Sequence, residues 1–422
     1  MTLSISKRVK GFTYLLTLVY FGSYVMRINF AAMLATIYPD IGVTKSAISV
    51  VITGLTIFYG SGQIINGILG DKIKPKYMLT VGLSLAAACN IGMFFCQTVP
   101  WMTAVWCING FAHSMLWPPI VRLMSTYLND AEYNYATVRL YWGSSCGTIL
   151  IYTLCPLLLK IITWRWIILC YAFVGLAIVA AWVLLSPRVL KKEPSVQEES
   201  DDPQQSINIP ERKEVPLPSR IWISVAMIFF AIILMGMLRD GVTNWMPSYL
   251  LESFGMPAEN AIFATVILAV FSMISYSLYD ALYRKVFPNE VVCAAVIFGG
   301  SAVCGVALYL INLFASSAIV SMLFMALIVS GMHGVNMMLI SIVPKRFAKS
   351  GKVSTFSGLL NAGTYVGAAI ATPAFALIAE NYSWNINVLV WGILAAAGTA
   401  VCLAVVPLWK KFRREYSDNP EI

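Results

Sequence analysis

Two arginines stand where an arginine is costly. Arg27 lies near the middle of an apolar run, Gly11 to Tyr38, whose 28 residues would make a helix roughly 42 Å long, against a bilayer core of about 30 Å. Arg239 sits in a second run, Met235-Gly-Met-Leu-Arg239-Asp240-Gly241. A guanidinium at the centre of a membrane-spanning helix costs on the order of 2.5–3.5 kcal/mol on insertion scales. It also offers a planar fork of donors that fits phosphate or carboxylate oxygens, and in a low-dielectric site such bonds are strong. Two of them at similar depth, one in each half of the chain, predict a central site for an anion.

Helical spacing assigns other polar residues to shared faces. Tyr20, Tyr24 and Arg27 recur at i, i+4 and i+7, which is one stripe of a helix. Thr56, Tyr59, Gln63 and Asn66 form a second stripe, Asn109, His113 and Trp117 a third, and Ser357, Asn361 and Tyr365 a fourth. Such faces turn to a cavity or to another helix, because lipid leaves their hydrogen bonds unmet. The alternative to a binding role is interhelical glue. Asp240 is the one clear carboxylate deep in the apolar runs. Consecutive helical residues point about 100° apart, so a bridge between Arg239 and Asp240 is not expected. Asp240 then reaches a neighbouring helix, or Arg27 across the cavity; otherwise both guanidiniums stay uncompensated until an anion arrives. Asp240 and His113 are the candidates for carrying a coupled proton.

The elements that must position these residues follow from composition. The 422 residues are 59% hydrophobic and 12% charged, with a mean hydropathy of +0.76, where an ordinary soluble protein is about 25% charged. This predicts an all-α integral membrane protein. Twelve spans are expected, near 11–38, 46–70, 76–97, 100–127, 136–159, 164–186, 219–253, 258–283, 289–312, 316–342, 353–379 and 384–408. With both termini on one side, only Lys45, Lys160 and Arg165 fall opposite, and every other basic residue outside the two central arginines joins the termini. The positive-inside rule therefore predicts cytoplasmic termini in the cell membrane. The net charge of +9 is a topology signal and carries no indication of nucleic-acid binding. The first run is too long for the apolar core of a cleavable signal peptide. The nine cysteines are scattered without metal-ligand or paired spacing, so they read as packing residues. No metal, cofactor or catalytic constellation is indicated, so an enzyme is not expected. A monomer in the bilayer is.

Residues 186–219 change composition abruptly, through Lys-Lys-Glu-Pro, Glu-Glu-Ser-Asp-Asp-Pro and Val-Pro-Leu-Pro. Such a stretch cannot bury enough apolar surface to fold alone. It is expected to be a flexible cytoplasmic linker between a six-helix bundle, 1–185, and a second, 220–409, followed by a tail, 410–422. Two halves of six helices form a repeat arrangement with the substrate site between them near the midplane.

Several motifs carry a family resemblance. Gly67-Ile-Leu-Gly70-Asp71-Lys72 follows the second span, and a degraded copy, Asp280-Ala-Leu-Tyr-Arg284-Lys285, follows the eighth. Trp117-Pro118-Pro119 and Arg122 end the fourth. Leu238-Arg239-Asp240-Gly241 leads to Asn244-Trp245, Pro247 and Tyr249-Leu250, and Pro344-Lys345 precedes Phe356-Ser-Gly358-Leu359. The chain resembles the major facilitator superfamily and, within it, the organophosphate:phosphate antiporters, over its full length apart from the linker. The resemblance implies alternating access by two rocking bundles, with a phosphorylated small metabolite exchanged for inorganic phosphate. It implies that Arg27 and Arg239 bind the phosphoryl group, with Tyr20, Tyr24, Tyr59 and Trp117 at matching positions, and that Gly67, Asp71, Lys72, Asp280 and Arg284 belong to the cytoplasmic gate. The chain departs from that pattern at Ile28 and Gln63, where the family has lysines, at Ser144-Ser145, where it has His-Asn, and at His113, where it has glutamine. These departures leave open a proton-coupled symporter of organic anions such as carboxylates. A sensor of sugar phosphates is a further alternative.

Overall fold

The computed structural model describes residues 6–189 and 215–419. Most of the expected linker, 190–214, lies outside the described residues. The rest is helical, with no strand among the described residues. Ten helices are long and apolar enough to cross a membrane. The other two expected spans are the fourth, which is broken, and the fifth, whose 29-residue helix opens on Asp130 and Glu132.

Four spans are not continuous helices. The first is α1 (Lys7–Ala32) followed by α2 (Leu34–Asp40), and α3 (Lys45–Lys72) and α4 (Pro75–Phe95) are the second and third. The fourth divides into α5 (Val99–Ser114) and α6 (Trp117–Tyr127). Here Pro118 and Pro119 lack the N–H groups an unbroken helix needs, and each is tolerated in a first turn. Next come α7 (Asp130–Leu158) and α8 (Trp164–Val189), so the sixth helix runs past residue 185. The second half begins with α9 (Ile221–Phe254), which ends on Gly255 in the left-handed region at φ 63°, a conformation glycine adopts without a Cβ penalty. The eighth span is α10 (Ala258–Ala264) and α11 (Val266–Lys285); α12 (Glu290–Phe314) is the ninth. The tenth starts as α13 (Ala318–Asn336), continues through π-helical turns over Met337–Ile342, and finishes as α14 (Val343–Lys345). The last two spans are α15 (Val353–Asn381) and α16 (Trp384–Phe412).

Side-chain caps fix several starts. Ser6, Thr44 and Ser383 accept from backbone N–H groups three residues on. Asn129 and Glu132 form a reciprocal capping box on α7, satisfying two donors the first turn leaves unpaired.

The stretch expected as a tail is docked on the second half as far as residue 419. Glu290 is fully buried, and Arg346, Arg413 and the Trp409 indole all bond its carboxylate. Asp418 bonds both Arg346 and Arg413. Lys349 reaches the carbonyls of Tyr416 and Asn419, and the Tyr416 hydroxyl donates to Val215 O. A buried carboxylate stands only when paired and hydrogen-bonded, which is why the chain end folds back.

Candidate functional site

Arg27 is half-buried on α1. Its guanidinium carbon lies 4.4 Å from the ring centroid of Tyr24 and 4.8 Å from that of Tyr59 on α3. Cation–π contact of this kind holds a guanidinium without consuming its in-plane donors. No carboxylate pairs with Arg27 among the described residues. Tyr59 meets Tyr365 of α15 edge to face at 4.7 Å. Tyr24 and Tyr365 each lie within electrostatic reach of both Arg27 and Arg239. The two arginines thus share one neighbourhood at the contact of the two halves.

Arg239 is held differently, and here the expectation fails. Its Nε lies 2.7 Å from one Asp240 oxygen and its Nη2 3.0 Å from the other. Diverging Cβ directions do not prevent this, because the long arginine arm folds along the helix surface. The Arg239 and Asp240 side chains are 15% and 26% exposed, so solvent reaches both. Asp240 neither crosses to Arg27 nor pairs with a neighbouring helix.

A file of aromatic rings extends from this centre. Tyr20 packs on Tyr24 at 5.3 Å and on Trp117 at 5.1 Å, and Trp117 lies 5.6 Å from Tyr141. Tyr141 then stacks on Tyr276 of α11 at 4.4 Å with planes 10° apart. The Tyr276 hydroxyl bonds His333 Nδ1 at 2.8 Å. Tyr141, Tyr276 and His333 were not assigned to the centre by sequence. Tyr141 and Tyr276 sit on α7 and α11, one of the helix pairs that join the halves.

The remaining candidates occupy tighter places. Gln63 is fully buried with neither amide atom bonded, next to the contact of α3 with α15. His113 is also buried; its ring faces the Met26 carbonyl, but neither nitrogen makes a hydrogen bond of normal geometry. The Trp117 indole nitrogen and the Ser357 hydroxyl are buried and unbonded as well. Asn361 is at the edge of burial, one turn before Tyr365. Ser144 spends its hydroxyl on the Tyr141 carbonyl of its own helix.

Below this centre, on the face that carries both chain ends, the halves are clamped. Both oxygens of Asp71 accept from the α15 start, Ser354 N and Thr355 N, each at 2.8 Å. Ser354 Oγ donates to Pro118 O, and Arg122 holds the carbonyls of Gly70 and Ile73. Gly67 and Gly358 cross at backbone contact: a Cβ on Gly67 would lie 2.9 Å from Ser354 O, and one on Gly358 would strike Gln63 O. Tyr133 and Tyr141 both bond Ser341 in the π-helical turns, and Lys345 pairs with Asp130. Lys72 is exposed beside the clamp. Asp280, buried, pairs with Arg284 one turn along its own helix. Toward the opposite face, the tryptophan bonds Trp164–Asp40 and Trp384–Glu252 each stay within one half.

Comparison with known proteins gives this geometry its context. The Major Facilitator Superfamily description matches residues 16–357. The glycerol-3-phosphate transporter of Bacillus subtilis is 25% identical over 391 residues, 87% of this chain and 85% of the relative. The phosphoglycerate transporter protein of Salmonella typhimurium is 23% identical over 394 residues, 86% and 82% respectively. In fold, a bacterial homologue of the iron transporter ferroportin in its outward-facing state superposes with a TM-score of 0.73 at 12% identity, covering 95% of this chain and all of that one. The all-helical, multi-span fold and a family match across most of the length agree: the chain is a multi-span transporter belonging to the Major Facilitator Superfamily and similar, within it, to organophosphate carriers.

Proposed function

We propose that the protein carries a phosphorylated small organic anion in exchange for inorganic phosphate, with Arg27 and Arg239 binding the phosphoryl group. The observation that carries this reading is the pair of guanidiniums on α1 and α9, with Tyr24 and Tyr365 in reach of both. Arg27 lies against two tyrosine rings with no carboxylate partner among the described residues, and a phosphoryl oxygen is the acceptor such a fork fits best. Tyr20, Tyr59 and Trp117 wall the centre, and Asn361 is an accessory contact. The two relatives with named phosphate-ester cargo support the same substrate class. In the proposed topology both termini and the Asp71 clamp are cytoplasmic, so the centre is open to the outside. Rocking about the centre would release Ser354 and Thr355 from Asp71 and expose the arginines inward.

A second reading, a proton-coupled organic-anion symporter, draws on the carboxylate of Asp240 beside Arg239. Counterflow in proteoliposomes separates the two. Vesicles preloaded with phosphate should accumulate labelled phosphate and glycerol 3-phosphate with no pH gradient. Uptake that requires an imposed gradient and is lost in Asp240→Asn would replace exchange by symport.

A further inference from the structure

The centre holds two permanent positive charges and one negative charge, and all three are reached by solvent. We infer that the preferred cargo is an amphoteric phosphate or phosphonate, in which an ammonium group separated from the phosphorus by a short chain pairs with Asp240. The inference rests on the phosphate reading above.

Arg27, Arg239 and Asp240 sum to a net charge of +1. A phosphate monoester near neutral pH carries between about −1.5 and −2. Bound alone, a dianion would leave the centre negative and would place its oxygens beside an ionised carboxylate. In a medium of low effective dielectric such like-charge proximity is strongly unfavourable. An ammonium on the same molecule brings the cargo to about −1 and balances the site.

The geometry separates the two receptors. Asp240 occupies one edge of the Arg239 guanidinium, through Nε and Nη2. The Nη1 side of the fork is not used by Asp240 and can serve a phosphoryl group shared with Arg27. An ammonium lying between that phosphoryl group and Asp240 continues an alternating row of charges: Arg27, phosphoryl, ammonium, carboxylate, Arg239. Ring faces of the kind that hold Arg27 also tolerate an ammonium.

The protein itself offers no second cation for Asp240. Arg239 is its one ion-pair partner among the described residues. His333 is engaged by the Tyr276 hydroxyl, and Gln63 is neutral and buried away from solvent. The cation that accompanies a phosphate dianion must then come with the cargo.

The test is competition against labelled phosphate counterflow in proteoliposomes of the full chain. Phosphoethanolamine and 2-aminoethylphosphonate are compared with ethyl phosphate and ethylphosphonate, which match them in size but lack the ammonium. The amino compounds should compete roughly tenfold better or more, with and without a protonophore. In Asp240→Asn the ratio of amino to plain competition should fall to about one. Equal competition by amino and plain compounds in the wild type overturns the inference and leaves the phosphate reading standing. So does an advantage that survives in Asp240→Asn. Failure of every phosphorus compound to compete overturns both. The wild-type comparison is decisive on its own, so poor insertion of Asp240→Asn does not remove the test.

Discussion

The two halves carry similar charged residues at corresponding places and use them in opposite ways. In the first half, Arg27 has no carboxylate and is held by ring faces, while the acid of the signature loop, Asp71, reaches across to cap α15. In the second half, Arg239 is bonded by its sequence neighbour and Asp280 by Arg284 on the same helix. The α7 start that Asp280 would otherwise face already has its own capping box. At these four positions, and among the described residues, the first-half charges have no ion-pair partner on their own helix, and the second-half charges do. The repeat is asymmetric: the first half carries an arginine with no carboxylate partner among the described residues, and the second carries an arginine already paired.

The sharpest way to break this contrast is at the arginines. Arg27→Lys keeps charge but loses the fork and the ring contacts, so phosphate affinity in counterflow should fall roughly 10- to 100-fold. Arg239→Lys leaves an ammonium that still pairs with Asp240, and its loss should be smaller, about tenfold or less. A reversed order would show that Arg239 is the principal anion ligand and that the Asp240 bridge opens at no cost.

Next in size is the clamp. Asp71→Ala removes a helix cap worth about 0.5–2 kcal/mol, which should shift the population measurably toward opening on the termini side. Distances between spin labels on the ends of α4 and α12, read by double electron–electron resonance, report that shift. Asp280→Ala should leave the same distances unchanged, although it frees Arg284. Equal shifts in both variants would mean that the two loops act alike.

Tyr59→Leu removes one of the faces holding Arg27 and should weaken phosphate binding by a few-fold, in keeping with about 0.5–2 kcal/mol for such contacts. Tyr59→Phe, which keeps the face, should bind as wild type by the same measurement. The smallest effect is expected at His113, whose ring is 1% exposed. His113→Gln should change phosphate affinity by less than about twofold and leave the pH profile of counterflow in place. A profile displaced by that substitution would move the ring into the anion site.

Sequence revealed what is costly in a membrane and hid what depends on side-chain reach. The buried arginines, the twelve spans and the tyrosine stripes of α1 and α3 stood out because lipid tolerates few polar groups and because helical spacing is fixed. The same spacing misled at Arg239–Asp240, since a rule about Cβ direction says little about where a long, flexible guanidinium ends. The hydroxyl of Ser144 donates to the Tyr141 carbonyl of its own helix, a bond that sequence spacing does not report. Trp117 and Tyr20 could be placed on faces, but the stack that carries their file on to Tyr276 joins residues far apart in the chain. No periodicity within one helix contains that pairing. The breaks at Met33 and Thr265 had no proline to announce them, whereas the break before Trp117-Pro118-Pro119 did.

The clasp around Glu290 has a consequence for how the protein is made. Glu290 bonds Arg346, 56 residues later, and Arg413, 123 residues later. During synthesis, therefore, α12 enters the bilayer boundary with a carboxylate whose full set of partners does not yet exist. The second bundle completes its interior only when the last helix and the residues after it have been translated. A product cut short before Arg413 would carry all twelve spans and keep Arg346 and Trp409 on Glu290, yet lack the second guanidinium that completes the clasp.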